Sequence, residues 1–202
     1  MQQSRFFKNK KIEHGGDLSI RRRKSKRLLS VRNPFHVTLR SELATKKRSL
    51  LKHKNMIYKV LNKASRRFGI KIYQQAICGN HIHLLVRGRQ RFAIQNFFRV
   101  VAGHIAQKIL ELHPLQRNEL SRGNAHVVAQ TKYKRKFWGA LIYSRMVHWG
   151  RDYSNVMNYI ERNTLEAIGW IPYVRTKWRY SDKNGAMPPP TRKNRYRRIV
   201  LA

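Results

Sequence analysis

The sequence predicts an α+β domain, a ferredoxin-like (RRM-like) split βαβ sheet, with basic extensions at both ends. Three observations carry this expectation. Segments of strand alternation and of helical period follow one another in the order β-α-β-β-α-β. A tight turn, Cys78-Gly79-Asn80, joins two of the strands into a hairpin. Each of the two intervening helical segments carries one apolar stripe, as helices do that cover a single sheet face.

Asn33-Pro34 reads as a turn, and Phe35 to Arg40 follows as a strand rich in β-branched and aromatic residues. His36, Thr38 and Arg40 share one face of it, since side chains alternate along a strand. His36 is read as structural, though near enough to matter for the histidines discussed below. Lys46 to Phe68 has helical period, with Leu50, Leu51, Ile57, Val60 and Leu61 on one side and cations on the other. Gly69 is placed to end it. Ile70 to Ile77 alternates as a strand through Ile70, Ile72 and Gln74, and His81 to Val86 returns beside it. Residues 90 to 112 repeat apolar side chains at spacings of three and four, from Ile94 to Leu112, and Pro114 closes the run. Residues 115 to 131 are polar and irregular. Lys132 to Val147 is aromatic and β-prone and predicts one or two strands, with Lys134 and Arg135 among its cations; Arg151 to Arg162 returns to helical period.

Charge separates the ends from the middle. Lys and Arg number 45 against 9 acidic residues, a formal charge of +36. A chain this basic is expected to bind a polyanion, with nucleic acid the default partner. Residues 1–32 form a basic arm that includes Arg21, Arg22, Arg23 and Lys24, and residues 171–202 form a basic tail. In the tail Arg175, Lys177 and Arg179 surround Trp178, a pattern suited to single strands because bases stack on rings while phosphates meet cations. The stretch between, 33–170, is the folded domain. No apolar run reaches the ~18 residues of a spanning helix, and no apolar segment follows the N-terminal cations, so neither membrane insertion nor secretion is expected. Cys78 is the only cysteine, which excludes an internal disulfide and a multi-cysteine zinc cluster. A cytoplasmic, nucleoid-associated setting fits.

The chemistry centres on Gly79-Asn80-His81-Ile82-His83-Leu84-Leu85-Val86. His81 and His83 are two apart on a strand and share a face, while Ile82, Leu84 and Val86 face the core. Two neutral imidazoles at this spacing can hold one divalent cation. They can equally be incidental to a non-catalytic, RRM-like nucleic-acid-binding module. Spacing alone leaves both open. A histidine-triad hydrolase needs a third histidine where this chain has Leu85.

The wording of that stretch resembles the histidine signature of the single-tyrosine HUH transposases, the group of REP-associated tyrosine transposases and small insertion-sequence transposases. Tyr159-Ile160-Glu161-Arg162-Asn163 is similar to the family's tyrosine stretch and follows in the family's order. The resemblance spans roughly residues 33 to 170. It departs from the family where Thr164 replaces a usual proline, where Gly169 falls one place late, and where Cys78-Gly79 precedes the histidine motif.

This resemblance implies a metal-dependent single-strand DNA endonuclease and strand transferase with Tyr159 as nucleophile, forming a covalent 5′-phosphotyrosine. It implies a metal site of His81, His83 and Asn163, taking Mg²⁺ or Mn²⁺; Tyr143 and Tyr153 are the competing tyrosines. Tyr159 and Asn163 are four apart and lie one turn from each other on a helix. The chemistry is coherent in itself, because a phenol of pKa ~10 attacks a phosphodiester poorly unless the phosphate is polarised. Hairpin-forming or repeat DNA is the implied substrate, with Arg40, Lys134, Arg135 and the residues named in both extensions as its expected contacts. The long extensions favour a monomer over a homodimer. An HUH nickase of plasmid replication or mobilisation would share this chemistry and serve another process.

Overall fold

The computed structural model describes residues 13–16, 26–115 and 136–173. Five strands form one antiparallel sheet: β1 (Glu13–His14), β2 (Phe35–Arg40), β3 (Ile70–Ile77), β4 (His81–Gly88) and β5 (Tyr143–Met146). Three α-helices accompany them: α1 (Lys54–Phe68), α2 (Arg91–Leu112) and α3 (Arg151–Ala167). The sheet order is β1-β5-β2-β4-β3. Strands β2 to β5 thus take the ferredoxin-like arrangement expected from the order of elements, and β1 extends it at one edge. Among the described residues no helix is long and apolar enough to cross a membrane.

Alternation in β2 is strict: Phe35, Val37 and Leu39 are buried, and His36, Thr38 and Arg40 face the other way. Ile82, Leu84 and Val86 of β4 join them in the main core, together with Ile57 and Leu61 of α1 and Ile94, Phe97, Val101, Ile105 and Ile109 of α2. Both of these helices lie on that face. A second, smaller cluster occupies the opposite face, where Val156 and Ile160 of α3 pack on Ala76, Leu85 and Val147. The sheet is therefore covered on both sides.

Several elements differ from expectation, each for a physical reason. The helix expected from Lys46 begins at Lys54, after two short 3₁₀ turns at Lys46–Arg48 and Leu50–His53. Ser49 between them is extended, and the Leu50 N–H donates to the Gly79 carbonyl at 2.8 Å, so a tertiary bond replaces a helical one. Gly69 ends α1 at φ 61°, a left-handed conformation that glycine adopts without strain. In β3 the register slips between Ile72 and Gln74, a bulge that places two residues against one. Beyond it the alternation is out of phase, so Ile77 rather than Ala76 pairs beside core-facing Ile82.

Of the stretch expected to give one or two strands, the described residues 136–147 form one, β5. Phe137 is buried in the main core and Trp138 Nε1 donates to the Ala102 carbonyl at 2.8 Å, which draws the chain away from the sheet before Tyr143. Helix α3 continues past Arg162 to Ala167, because Thr164 permits what proline would stop and Arg162 pairs with Glu166 at 2.8 Å. Part of the expected basic arm is built into the domain. Leu29 is buried in the core, Glu13 and His14 pair with Arg145 and Ser144, and the Arg27 guanidinium donates to the Ile142 carbonyl and Ser144 Oγ.

Candidate active site

The α3 side of the sheet collects the histidines. Register sets Thr38 directly opposite His83 and Arg40 opposite His81, while His36 pairs with Leu85 on one side and Arg145 on the other. One face therefore carries His36, Thr38, Arg40, His81, His83 and Arg145. Helix α3 lies over it, anchored by Val156 and Ile160, and presents Tyr159 and Asn163.

The rings are in contact. His81 and His83 meet edge to face with centroids 4.8 Å apart, as the two-residue spacing predicts. The Tyr159 ring stands edge-on to His83 at 5.2 Å and to His36 at 5.7 Å. Of the competing tyrosines, Tyr143 stands edge-on to the His36 ring at 6.4 Å, and Tyr153 packs on Tyr73 and Trp149. Asn163 Nδ2 donates to the Tyr159 carbonyl at 2.7 Å, and the same side chain reaches the His81 ring.

Each histidine is held by one nitrogen. His83 Nδ1 lies 3.1 Å from His36 Nε2 and 3.1 Å from Thr38 Oγ1, and His81 Nδ1 lies 2.8 Å from Asn80 Oδ1. His83 is only 5% exposed, and its Nε2 is buried without a hydrogen-bond partner. An orphaned ring nitrogen costs ~1–3 kcal/mol, and a site that retains one invites a ligand.

Burial sets the protonation states. It lowers the pKa of His83 well below the usual histidine range, with His36 and His81 adding to the effect. Burial, with the Arg40 charge, lowers that of His81, and Asn163 opposes this. His36 is pushed down to about 4 by burial and by Arg145, against an upward pull from Asp152. All three are neutral imidazoles at pH 7, the form that ligates metal. Cys78 is pushed up to about 11, first by burial and then by Glu166, so its thiol stays protonated.

The donor set fits a small divalent cation in part. His81, whose ring meets that of His83, and the Asn163 amide, which reaches His81, are neutral nitrogen and oxygen donors near the residue with the orphaned Nε2. Among the described residues no three His, Cys, Asp or Glu side chains converge as a metal cage. The remaining positions would fall to water and substrate oxygens, the habit of Mg²⁺ and Mn²⁺ at phosphate sites.

Of the expected DNA contacts only Arg40 lies among the described residues. It is exposed at the end of β2 beside His81. Arg21, Arg22, Arg23, Lys24, Lys134, Arg135, Arg175, Lys177, Trp178 and Arg179 lie outside them. The sequence places Thr38 on the face of His36 but gives it no role, reads His36 as structural, and does not single out Arg145. Their shared face is legible in the alternation, but their partners across the sheet follow only from register.

Comparison with known proteins bears on this geometry. A family described as "Transposase IS200 like" matches residues 35–163. A solved structure of a REP-associated tyrosine transposase bound to a REP hairpin is similar in fold, with TM-score 0.50 and 14% identity, covering 74% of this chain and 76% of that one. A candidate transposase from Deinococcus radiodurans R1 aligns at TM-score 0.39 and 13% identity, over 70% of this chain and 98% of that one. No curated protein matches the sequence.

Proposed function

The chain belongs to the IS200-like transposase family of HUH single-tyrosine enzymes, and from that premise we propose that it cuts and rejoins single-stranded DNA beside a hairpin through Tyr159. The observation that carries this is the contact of the Tyr159 ring with His83, whose buried Nε2 has no partner. Tyr159 also stands on the helix turn of Asn163, whose side chain reaches His81.

The chain's own residues act as follows. His36 and Thr38 hold Nδ1 of His83; a proton donated from Nδ1 leaves the Nε2 lone pair free, the arrangement that outer partners impose on metal-bound histidines. His81, His83 and Asn163 would hold Mg²⁺ or Mn²⁺. Such an ion polarises a phosphate and offsets charge developing on its oxygens. Asn163, bonded to the Tyr159 carbonyl, ties the helix turn of the nucleophile to His81. Tyr159 Oη attacks phosphorus and releases its proton to water. The P–O3′ bond breaks and the departing O3′ takes up a proton. A 5′-phosphotyrosine and a free 3′-hydroxyl result. Attack by another 3′-hydroxyl reverses these steps and joins strands without a nucleotide cofactor.

The solved relative is bound to a REP hairpin, and we extend that substrate class to this chain. Arg40 and the cations of the two extensions, residues 1–32 and 171–202, are assigned to phosphate contacts flanking the domain of residues 33–170, with the affinity falling steeply as salt rises. A monomer suffices, since Tyr159 and both histidines sit on one chain.

The test is a covalent adduct. End-labelled hairpin DNA with a single-stranded flank, incubated with the protein and Mn²⁺, gives a slow band on a denaturing gel. The band is lost with chelator and in Tyr159→Phe. A band that survives Tyr159→Phe would reject the nucleophile, and binding without any band would leave a non-catalytic DNA-binding protein.

A further inference from the structure

A second pair of histidines meets on the side of the sheet covered by α1 and α2, opposite the face of His81 and His83. His53 closes the 3₁₀ turn Leu50–His53 and caps the start of α1, and His113 caps the end of α2. The two helix ends bring these rings together from distant parts of the chain. Their centroids are 5.4 Å apart and their planes are inclined by 50°.

The spacing suits one shared ion. Two imidazoles on a tetrahedral zinc, at Zn–N ~2.0–2.1 Å with each nitrogen about 1.2 Å from its ring centroid, stand roughly 5.2 Å apart. The His81–His83 pair is tighter, at 4.8 Å, as the narrower angle of an octahedral ion requires. The outer partner of His53 is also in place. His53 Nε2 lies 3.0 Å from the Lys47 carbonyl oxygen, which can only accept, so Nε2 carries the proton. In the neutral ring Nδ1 then holds the free lone pair. A backbone carbonyl on the other nitrogen is a common partner of metal-bound histidine.

The end of α2 favours a cation. In a chain with 45 Lys and Arg residues, the last turn of this helix carries none. Glu111 lies in that turn, accepting from Gln107 Nε2 at 2.8 Å, and the carbonyl end of a helix attracts positive charge. Lys52 and Lys54 flank His53 but are exposed, so water and salt screen them. The buried Arg48 guanidinium donates to the Leu43 and Pro114 carbonyls. Among the described residues no third His, Cys, Asp or Glu joins the pair. Both rings are partly exposed, so water completes the shell.

We propose that His53 and His113 form a second metal site, which takes a borderline transition ion such as Zn²⁺ and ties the start of α1 to the end of α2. Two imidazoles without a converging carboxylate select Zn²⁺ over Mg²⁺, which prefers oxygen ligands. The site does not depend on the strand-transfer reading.

The experiment uses the full chain carrying His81→Gln and His83→Gln, which removes the catalytic pair, and isothermal titration calorimetry with Zn²⁺ in excess Mg²⁺. One Zn²⁺ binds per chain. Adding His53→Gln or His113→Gln weakens that binding by about tenfold or more, and adding His104→Gln, an exposed histidine elsewhere on α2, changes it less than about twofold. Unchanged binding in either the His53 or the His113 variant would overturn the pair, as would equal weakening by His104→Gln. Zn²⁺ binding abolished by Mg²⁺ would overturn the selectivity. Should a variant unfold, hydrogen exchange in the chain that keeps both histidines decides. Zn²⁺ slows exchange in residues 50–56 and 109–113, and no slowing there rejects the site. The adduct assay separates this site from the catalytic reading. Zn²⁺ held by His53 and His113 in a chain that forms no adduct upholds the site, and an adduct without such binding sinks it alone.

Discussion

The two faces of the sheet are built from the same strands and do different work. One face, under α1 and α2, is packed with fully buried aliphatic and aromatic side chains: Leu50, Ile57, Leu61, Phe97, Ile105 and Ile109 with Val37, Leu84 and Val86. The other face has one covering helix, a small apolar cluster, and a row of polar side chains that includes a buried nitrogen without a partner. Cohesion concentrated on one face lets the other carry groups that cost stability. Adjacent residues on β4 show the division most sharply: Leu84 points into the core and His83 into the site.

The largest effect is expected at Tyr159. Tyr159→Phe keeps the ring and its packing while removing the hydroxyl, so adduct formation on hairpin DNA should fall by on the order of 10³-fold or more with the thermal midpoint unchanged. Equal adduct yields would break the assignment of chemistry to this face.

Next come the neighbours on β4. Leu84→Ala should cost about 3 kcal/mol in urea unfolding, since it empties volume in a close-packed core. His83→Ala also empties volume and takes a partner from His36 Nε2, but it removes an orphaned nitrogen, so it should cost about 1–2 kcal/mol, less than Leu84→Ala, and should weaken Mn²⁺ binding measured by electron paramagnetic resonance. Similar stability losses in both would show that the two faces share the burden of holding the fold.

Gly88 offers a finer test of the core face. A Cβ there would lie 2.6 Å from both Ile70 Cδ1 and Ile94 Cγ1. Gly88→Ala should therefore cost ~1–3 kcal/mol by overpacking and leave adduct formation per folded molecule intact.

The smallest effect concerns the rim of the site. Burial raises the pKa of Asp152, but hydrogen bonds from Arg145 and the His148 N–H, with the Arg145 charge, outweigh it and leave the carboxyl below its usual value. Arg145 and Asp152 pair at 2.8 Å. A carboxyl lowered on folding contributes stability above its unfolded pKa of ~3.9 and loses it as pH falls through the folded value. Asp152→Asn should cost on the order of 1 kcal/mol or less near pH 7, given partial exposure, and nothing once the wild-type carboxyl is protonated. Urea unfolding across that acid range would show it, and a pH-independent difference would reject the ion pair as its source.

Much of this was written in the sequence. Period-two alternation fixed β2, and the Cys78-Gly79-Asn80 turn fixed the β3–β4 hairpin. His81 and His83 share a face because any strand makes them do so, and Tyr159 and Asn163 share a turn because any helix does. Local geometry is sufficient for such pairs, since it depends on the dihedrals of a few residues. What lay beyond it was every relation between elements. Ser49 and Leu50 leave helical geometry to bond the far hairpin, the bulge after Ile72 shifts the phase of β3, and Leu29 enters the core from a segment whose charges mask it. His36 became a neighbour of His83 only when register set β2 against β4, and Tyr159 met both only when Val156 and Ile160 seated α3 on that face. Contacts between residues distant in the chain are decided by packing and pairing of whole elements, which no stretch of sequence specifies alone.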